Sequence, residues 1–373
     1  MAARPLTVLQ LLPALDAGGV ERSTLEIADA LVRAGHRALV VSAGGRMLPK
    51  LEALGARHFS LDIGRKSLLT LRHAWTLRRL LRAERVDIVH ARSRLPAWIG
   101  WLAVRGMGAA KPHFVTTVHG LNSPSRYSAI MARGERVVCV SETVRDYVLR
   151  HYPQTDPARL RVIPRGIDPG RYPRREGIDR AMRAHLAGQW PQLSGDGPLL
   201  LLPGRGTRLK GHADALRLLA DLRAGGIDAR LWMPGARVPE RAAYIAELEG
   251  EARALGVAEA LAISAPTDDM AAAYRAGDLV LQLSRKPESF GRTVVEALAI
   301  GVPVVGWDHG GVGEVLAMLQ PEGRVAPGDR AALAERAQAF LQHPPALPRR
   351  IPYTLSAMQQ ATLDVYEEFP RTR

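Results

Sequence analysis

Short apolar, β-branched runs alternate with stretches of helical periodicity from one end of the chain to the other. The runs that predict strands are residues 7–12, 38–42, 88–91, 114–118, 137–140 and 161–163. After a gap come 199–202, 230–233, 261–264, 279–283 and 302–306. Most are continuous apolar runs rather than alternating ones, the pattern of parallel strands covered on both faces. Helical segments lie between them, such as 21–34, where Leu25, Ala28 and Leu31 or Val32 share a face and Gly35 supplies the stop. Strand, helix and strand in repetition predict an α/β protein with parallel sheets and right-handed crossovers.

The gap carries Pro169, Gly170, Pro173, Gly177, Pro191, Gly195, Gly197 and Pro198 around a short helical stretch at 180–187. That composition predicts a linker over 169–197 between domains at 1–168 and 198–345. A final helical segment, 346–373, is expected to pack back towards the first domain. A chain of 373 residues suits two doubly wound domains. They are expected to face each other across a cleft, with ligands beyond the carboxyl ends of the strands.

Composition narrows the class. No run reaches the eighteen uncharged apolar residues of a membrane-spanning helix, and the apolar stretch before Pro13 is too short for a secretory signal. The lone Cys139, in the run VVCV, reads as a buried strand residue in a reducing, cytoplasmic setting. The net charge of +14 points to an anionic partner: nucleic acid, a membrane surface or a phosphorylated substrate. The absence of basic repeats, zinc-ligand spacing and an aromatic RNA-binding strand argues against nucleic acid. The charge is densest between Arg65 and Arg94, with nine Lys or Arg against Glu84 and Asp87.

Four segments carry candidate chemistry. In 288–305, ESFGRTVVEALAIGVPVV, Glu288 precedes a turn at Gly291 and Glu296 follows eight residues later. A helix beginning near Arg292 would present free N–H groups to an anion such as a pyrophosphate. Carboxylates on either side suit vicinal hydroxyls. Spacing alone favours the plainer reading of two solvated glutamates around an ordinary turn. In 203–212, PGRGTRLKGH, Arg205 and Lys210 could neutralise a diphosphate. A basic loop without a ligand fits equally, and the spacing is not that of a P-loop. In 16–23, DAGGVERS, Gly18 and Gly19 precede a helix, and in 116–120, TTVHG, His119 stands at a strand's carboxyl end. Each of these two is weak by itself. Residues 67–85 read as a helix with Ala74, Leu77 and Leu81 inward. Trp75 lies among Arg72, Arg78, Arg79 and Arg82 on another face, which suits either an anionic membrane surface or simple solvation. Trp98 and Trp101 read as core residues.

Taken in order, these pieces resemble the retaining glycosyltransferases of family 4, which have the GT-B fold of two Rossmann-like domains. The resemblance runs through Gly18–Gly19, His119–Gly120, VCVSETVRDYV at 138–148 and IPRGID at 163–168. It continues through Gly204–Arg205 with Lys210–Gly211, and through Glu288 to Glu296 followed by Gly-Val-Pro-Val-Val. Together they outweigh the plainer readings of each piece. The resemblance implies that Glu296 holds ribose hydroxyls and Glu288 the donor sugar. It implies that the backbone at Phe290, Gly291, Arg292 and Thr293 positions sugar and phosphate, and that Arg205 and Lys210 stabilise the leaving diphosphate. His119 is implied near the anomeric centre, and Gly19 in a loop over phosphate and acceptor. Gly18, Arg72, Trp75, Arg78 and Arg79 are the acceptor or membrane candidates.

No metal or cofactor is expected. The donor is a nucleotide sugar, UDP favoured over GDP, and the acceptor a saccharide or glycolipid of lipopolysaccharide or other surface-polysaccharide synthesis. A peripheral place on the inner face of the cytoplasmic membrane follows. The alternatives are a nucleotide-sugar-binding protein without transfer activity and a GT-B epimerase. The chain departs from the family pattern with GTRL between Arg205 and Lys210, which adds Arg208, and with Arg165 where Asn is usual.

Overall fold

The computed structural model describes residues 4–16, 18–108 and 111–370. The chain divides into two compact units, Met1–Gly166 with Leu355–Arg373, and Ile167–Thr354.

The first unit runs β1 (Thr7–Leu11), α1 (Gly19–Arg33), β2 (Arg37–Ser42), α2 (Leu48–Ala53), β3 (Arg57–Ser60), α3 (His73–Ala83) and β4 (Ile88–Ala91). It continues with α4 (Arg94–Arg105), β5 (His113–Val118), β6 (Arg136–Cys139), α5 (Glu142–His151) and β7 (Leu160–Val162). The seven strands form one parallel sheet in the order β3-β2-β1-β4-β5-β6-β7. Fully buried Val8, Leu9, Val40, Val89 and Val115 show why these runs lack polar alternation: both sheet faces are covered.

The second unit runs α6 (Arg180–Gln189), β8 (Leu199–Leu201), α7 (His212–Ala224), β9 (Arg230–Met233), α8 (Ala242–Ala254), β10 (Leu261–Ile263) and α9 (Met270–Ala276). Then come β11 (Leu279–Gln282), α10 (Arg292–Ile300), β12 (Val304–Trp307), α11 (Gly310–Leu319), β13 (Arg324–Val325) and α12 (Arg330–Gln342). Its parallel sheet has the order β10-β9-β8-β11-β12-β13. The last helix, α13 (Leu355–Glu367), belongs to the first unit. There Gln359 accepts from Arg33 at 2.8 Å, and the Tyr366 hydroxyl meets His90 Nδ1 at 2.6 Å.

Each sheet reverses its strand order once, at β1/β4 in the first unit and at β8/β11 in the second. Loops leaving neighbouring strands there diverge to opposite faces and open a crevice, the usual place for a ligand in such sheets.

Three expectations need correction. β3 and β13 were not anticipated: RHFS holds a single apolar residue and stays half-exposed, and β13 is two residues long. Residues 169–197 are not a free linker but part of the second unit. Arg183 donates to the Ala276 carbonyl at 2.8 Å and to Asp278, and Trp190 packs against Trp232 with ring centroids 5.5 Å apart. The helix expected at 67–85 begins with a 3-10 turn, Leu68–Arg72, before α3.

Candidate functional site

At the second unit's switch point the loop after β8 meets the loop after β11. Gly211 takes the left-handed φ of +76°, and a β-carbon there would stand 2.1 Å from the Leu283 carbonyl oxygen. Only glycine lets the two loops approach so closely. The approach brings Lys210 to Glu288, with Nζ 2.5 Å from Oε1. Glu288 also accepts from the Ser284 hydroxyl, and its backbone carbonyl accepts from Gly311 N–H at 2.7 Å. His309 Nε2 meets the Ser284 carbonyl at 2.7 Å, so the loop after β12 braces the same turn. The carboxylate and ammonium remain about one-quarter to one-third exposed and open to a ligand.

α10 begins at Arg292, as the sequence indicates. Its N-cap is Gly291, at φ +125°, and no side chain caps it. The positive end of the helix therefore faces the crevice without a protein acceptor from a capping side chain. Glu296, one turn in, is buried and accepts from the Tyr274 hydroxyl at 3.1 Å. Burial, with Glu296 as the next cause, pushes the Tyr274 phenol well above its ordinary pKa, so Tyr274 stays a donor. Phe290 is buried against Tyr353, ring centroids 5.3 Å apart, so it offers the crevice only its backbone. Arg292 and Thr293 are half-buried. Arg205 is exposed two residues past Pro203. Arg208 turns away to pair with Glu247 and does not add to the site. Sequence reasoning missed Tyr274, Ser284 and His309, single residues outside any motif.

At the first unit's switch point, Gly18 (φ +151°) caps α1 and Gly19 opens it, both exposed. His119, just past β5, is half-buried and held by Arg165, whose Nη2 lies 2.9 Å from Nδ1. His119 and Val20 line a cavity of about 270 Å³.

Residues 17–171 match the model of Glycosyltransferase Family 4, and residues 189–354 the model of Glycosyl transferases group 1. The chain belongs to the family 4 glycosyltransferases. A crystal structure of a glycosyltransferase from Rickettsia africae ESF-5 is similar at a TM-score of 0.86 and 26% identity. That likeness covers 98% of this chain and 99% of the other. HepE of Anabaena, crystallised with UDP and glucose, is similar at a TM-score of 0.77 and 20% identity over 98% of this chain and 100% of its own. That likeness is one of fold. The D-inositol 3-phosphate glycosyltransferase of Salinispora tropica is 29% identical over 305 residues, 69% of this chain and 62% of the relative. The chain spans about three fifths of the length of such curated relatives. The neighbours are GT-B glycosyltransferases, and the two Rossmann-like units have that fold.

In this glycosyltransferase the basic helix α3 is only partly the surface the sequence suggests. Trp75 is 69% exposed, and Arg72 and Arg79 are exposed. Arg78 is not free. Its Nε and Nη2 donate to the Ala103 and Leu102 carbonyls at 3.1 and 3.2 Å, where α4 ends, and its guanidinium lies 4.9 Å from the Trp75 ring centroid. It acts as a C-terminal clasp on α4. Trp98 and Trp101 are half-buried rather than core, edge-to-face at 5.7 Å with Arg133 over both rings. Cys139 is buried as expected, and burial pushes its thiol up to about 12. No helix among the described residues is long and apolar enough to cross a membrane.

Proposed function

We propose that this protein moves a hexose-type sugar from a nucleoside-diphosphate sugar, UDP favoured, to a saccharide or glycolipid acceptor, with retention at the anomeric carbon. The observation that carries the proposal is the convergence at the β8/β11 switch point: the Lys210–Glu288 pair, the uncapped start of α10 and the buried Glu296.

Glu296 accepts the two ribose hydroxyls, its orientation fixed by Tyr274. The α10 N–H groups meet the diphosphate, and Lys210 leaves Glu288 to meet it as well. Glu288, freed from Lys210 but still bonded to Ser284, takes the sugar hydroxyls. As the bond from anomeric carbon to phosphate oxygen breaks, charge grows on that oxygen, while the acceptor hydroxyl bonds to the anomeric carbon from the same face and passes its proton to the departing diphosphate. Lys210 and Arg205 stabilise that charge, each strong donor contributing on the order of 10²–10³ in rate. This is the electrostatic work a metal does elsewhere, so activity is expected to persist in EDTA. His119 is assigned a role at the anomeric carbon and Gly19 one in the loop over the phosphate.

Support for the donor class comes from HepE, whose crystal structures are described with UDP, with UDP and glucose, and with UDP-glucose. Support for surface-polysaccharide synthesis comes from the likeness to WaaG, described as a glycosyltransferase of lipopolysaccharide biosynthesis. The exposed Trp75, Arg72 and Arg79 support a peripheral place on the inner face of an anionic membrane. The test is incubation with UDP-, GDP- and ADP-sugars and candidate acceptors, with proton NMR of the product's anomeric coupling. A retained anomer formed in EDTA supports the proposal. Donor bound but only isomerised, or never consumed, contradicts it in favour of an epimerase or a binding protein.

A further inference from the structure

His119 follows β5, and a buried guanidinium meets its ring. Arg165, beyond β7, is 8% exposed, and its Nη1 donates to Ser23 Oγ of α1 at 3.0 Å and lies 3.7 Å from Met358 Sδ of α13. Held there, the guanidinium presents Nη2 to His119 Nδ1 at 2.9 Å. The departure noted in the sequence, Arg where Asn is usual, thus places a cation against the ring. The chemistry of that contact is one-sided. A guanidinium has donors and no acceptor, and it keeps its protons in proteins. The contact is therefore a hydrogen bond only when Nδ1 supplies the lone pair. A proton on Nδ1 would set N–H against N–H and one positive group against another. The neutral ring then carries its proton on Nε2. This is the reverse of a catalytic triad, in which a carboxylate accepts from Nδ1–H and leaves Nε2 able to take a proton.

The surroundings act in the same direction. His119 lines the cavity of about 270 Å³, and the other charged groups lining it are the buried Arg92, on the loop after β4, and Arg94, at the start of α4. Nearby positive charge disfavours a charged ring. Burial first, then Arg92 and Arg165, push the His90 imidazole on β4 well below its ordinary pKa, so that ring is neutral as well. Glu26 of α1, the carboxylate felt by Arg92, is paired with Arg22 at 3.0 Å.

We infer that Arg165 is a positioning residue that locks His119 as a neutral imidazole protonated on Nε2, able to donate a hydrogen bond from that nitrogen and unable to accept a proton there. The locked tautomer is argued from the first unit alone. Its consequence for the reaction rests on the transferase reading above. His119 then serves as a donor to a sugar hydroxyl, and the acceptor hydroxyl's proton goes to the departing diphosphate rather than to this ring. A neutral ring also adds no positive charge as the anomeric carbon becomes electron-poor.

Long-range proton–nitrogen correlation NMR of the full chain, labelled with nitrogen-15 in histidine, reads the tautomer directly, with His119 assigned by its loss in His119→Gln. The parent is expected to show a pyrrole-type Nε2 and a pyridine-type Nδ1 at about pH 8 and, unchanged, at about pH 6, where an unperturbed imidazole (pKa about 6.5) is mostly protonated. In Arg165→Met, which keeps a stem but no donor, the ring should take up a proton over that interval. The His90 signals, held by Tyr366 and Thr117 at 2.6 Å each, should stay in place and control for folding of the unit. A parent ring protonated on Nδ1, or one that titrates as the variant does, overturns the inference, as does an Arg165→Met ring that behaves like the parent's. Turnover tests the consequence. His119→Gln keeps a donor and cannot act as a base, so it should turn over within about tenfold of the parent, and His119→Ala at least about tenfold more slowly than His119→Gln. Equal turnover in the two variants, whether near the parent's or lower by about 10²–10⁴ as loss of a base would give, overturns the donor role. A parent that shows the Nε2 tautomer but neither binds nor consumes any nucleotide sugar would overturn the transferase reading and leave the tautomer standing.

Discussion

Replacing Lys210 by Met separates a functional charge from a structural one. In the protein as it stands, Nζ is 2.5 Å from Glu288 Oε1, with the two side chains 30% and 25% exposed. A pair so open to water contributes little, at most about 1 kcal/mol, and the Met side chain retains most of the stem's packing. Thermal stability should therefore fall by less than about 1 kcal/mol, or roughly 2–4 °C for a domain of this size. Ligand binding should respond differently. A charge-assisted hydrogen bond to a diphosphate is worth about 1.5–3 kcal/mol, less the small cost of parting Lys210 from Glu288. A net loss of about 1–3 kcal/mol weakens UDP binding about 5- to 150-fold. Turnover should fall further, by on the order of 10²–10³, because charge on the leaving oxygen peaks in the transition state. Titration calorimetry with UDP and a coupled UDP-release assay measure the two quantities, and a melting curve measures the third. A variant that loses several kcal/mol of stability while binding UDP normally would refute the reasoning, making the pair a structural clamp.

Four further outcomes are expected. Gly211→Ala should destabilise the second unit by about 1–2 kcal/mol from its left-handed backbone alone, more with the 2.1 Å approach to Leu283, and should lower UDP affinity; a neutral result in both would mean the two loops need not touch. Arg78→Ala should lower the melting temperature and leave vesicle binding unchanged, whereas Arg72→Ala with Arg79→Ala should weaken binding to anionic vesicles in co-sedimentation and leave stability unchanged. Burial lowers the His212 pKa from 6.5 to about 4, so the unfolded chain takes up a proton that the folded chain refuses. Stability should hold above pH 6.5 and decline as pH falls towards 4, by up to about 3 kcal/mol from this group, and denaturant melts of His212→Gln against the parent should show a shallower decline. Cys139 should resist thiol reagents at pH 8 in the folded protein and react once it is unfolded.

The buried strands and the turn into α10 were legible because their causes are local. A parallel strand covered on both faces must be an apolar run, and the helical apolar pattern that follows Gly291 (Val294, Val295, Leu298) is equally local. β3 escaped because RHFS carries a single apolar residue, and its Arg57 and Ser60 are exposed. The role of 169–197 was hidden by its own composition. Proline and glycine mark irregular backbone, and nothing local says that Arg175 and Arg183 will fasten that backbone to carbonyls near Asp278. Glu288 and Glu296 were found through the motif that contains them, but Tyr274 sits 22 residues before Glu296 and becomes its partner only when α9 packs beside α10. Arg92 was only counted among nine basic residues between Arg65 and Arg94. That it is buried follows from Gln10, Ser23 and α13 closing over it, contacts that span the whole first unit.

The most direct test of the donor site is the melting temperature of the parent and of Glu296→Gln with UDP, GDP and ADP, each with its common sugars. A ligand at about a hundred times its dissociation constant adds about 2.7 kcal/mol of stability. The account predicts that one nucleotide, UDP before GDP, raises the parent's melting temperature by several degrees and fails with the variant. Equal stabilisation of parent and variant would place the nucleotide elsewhere, and no stabilisation by any of them would contradict the account.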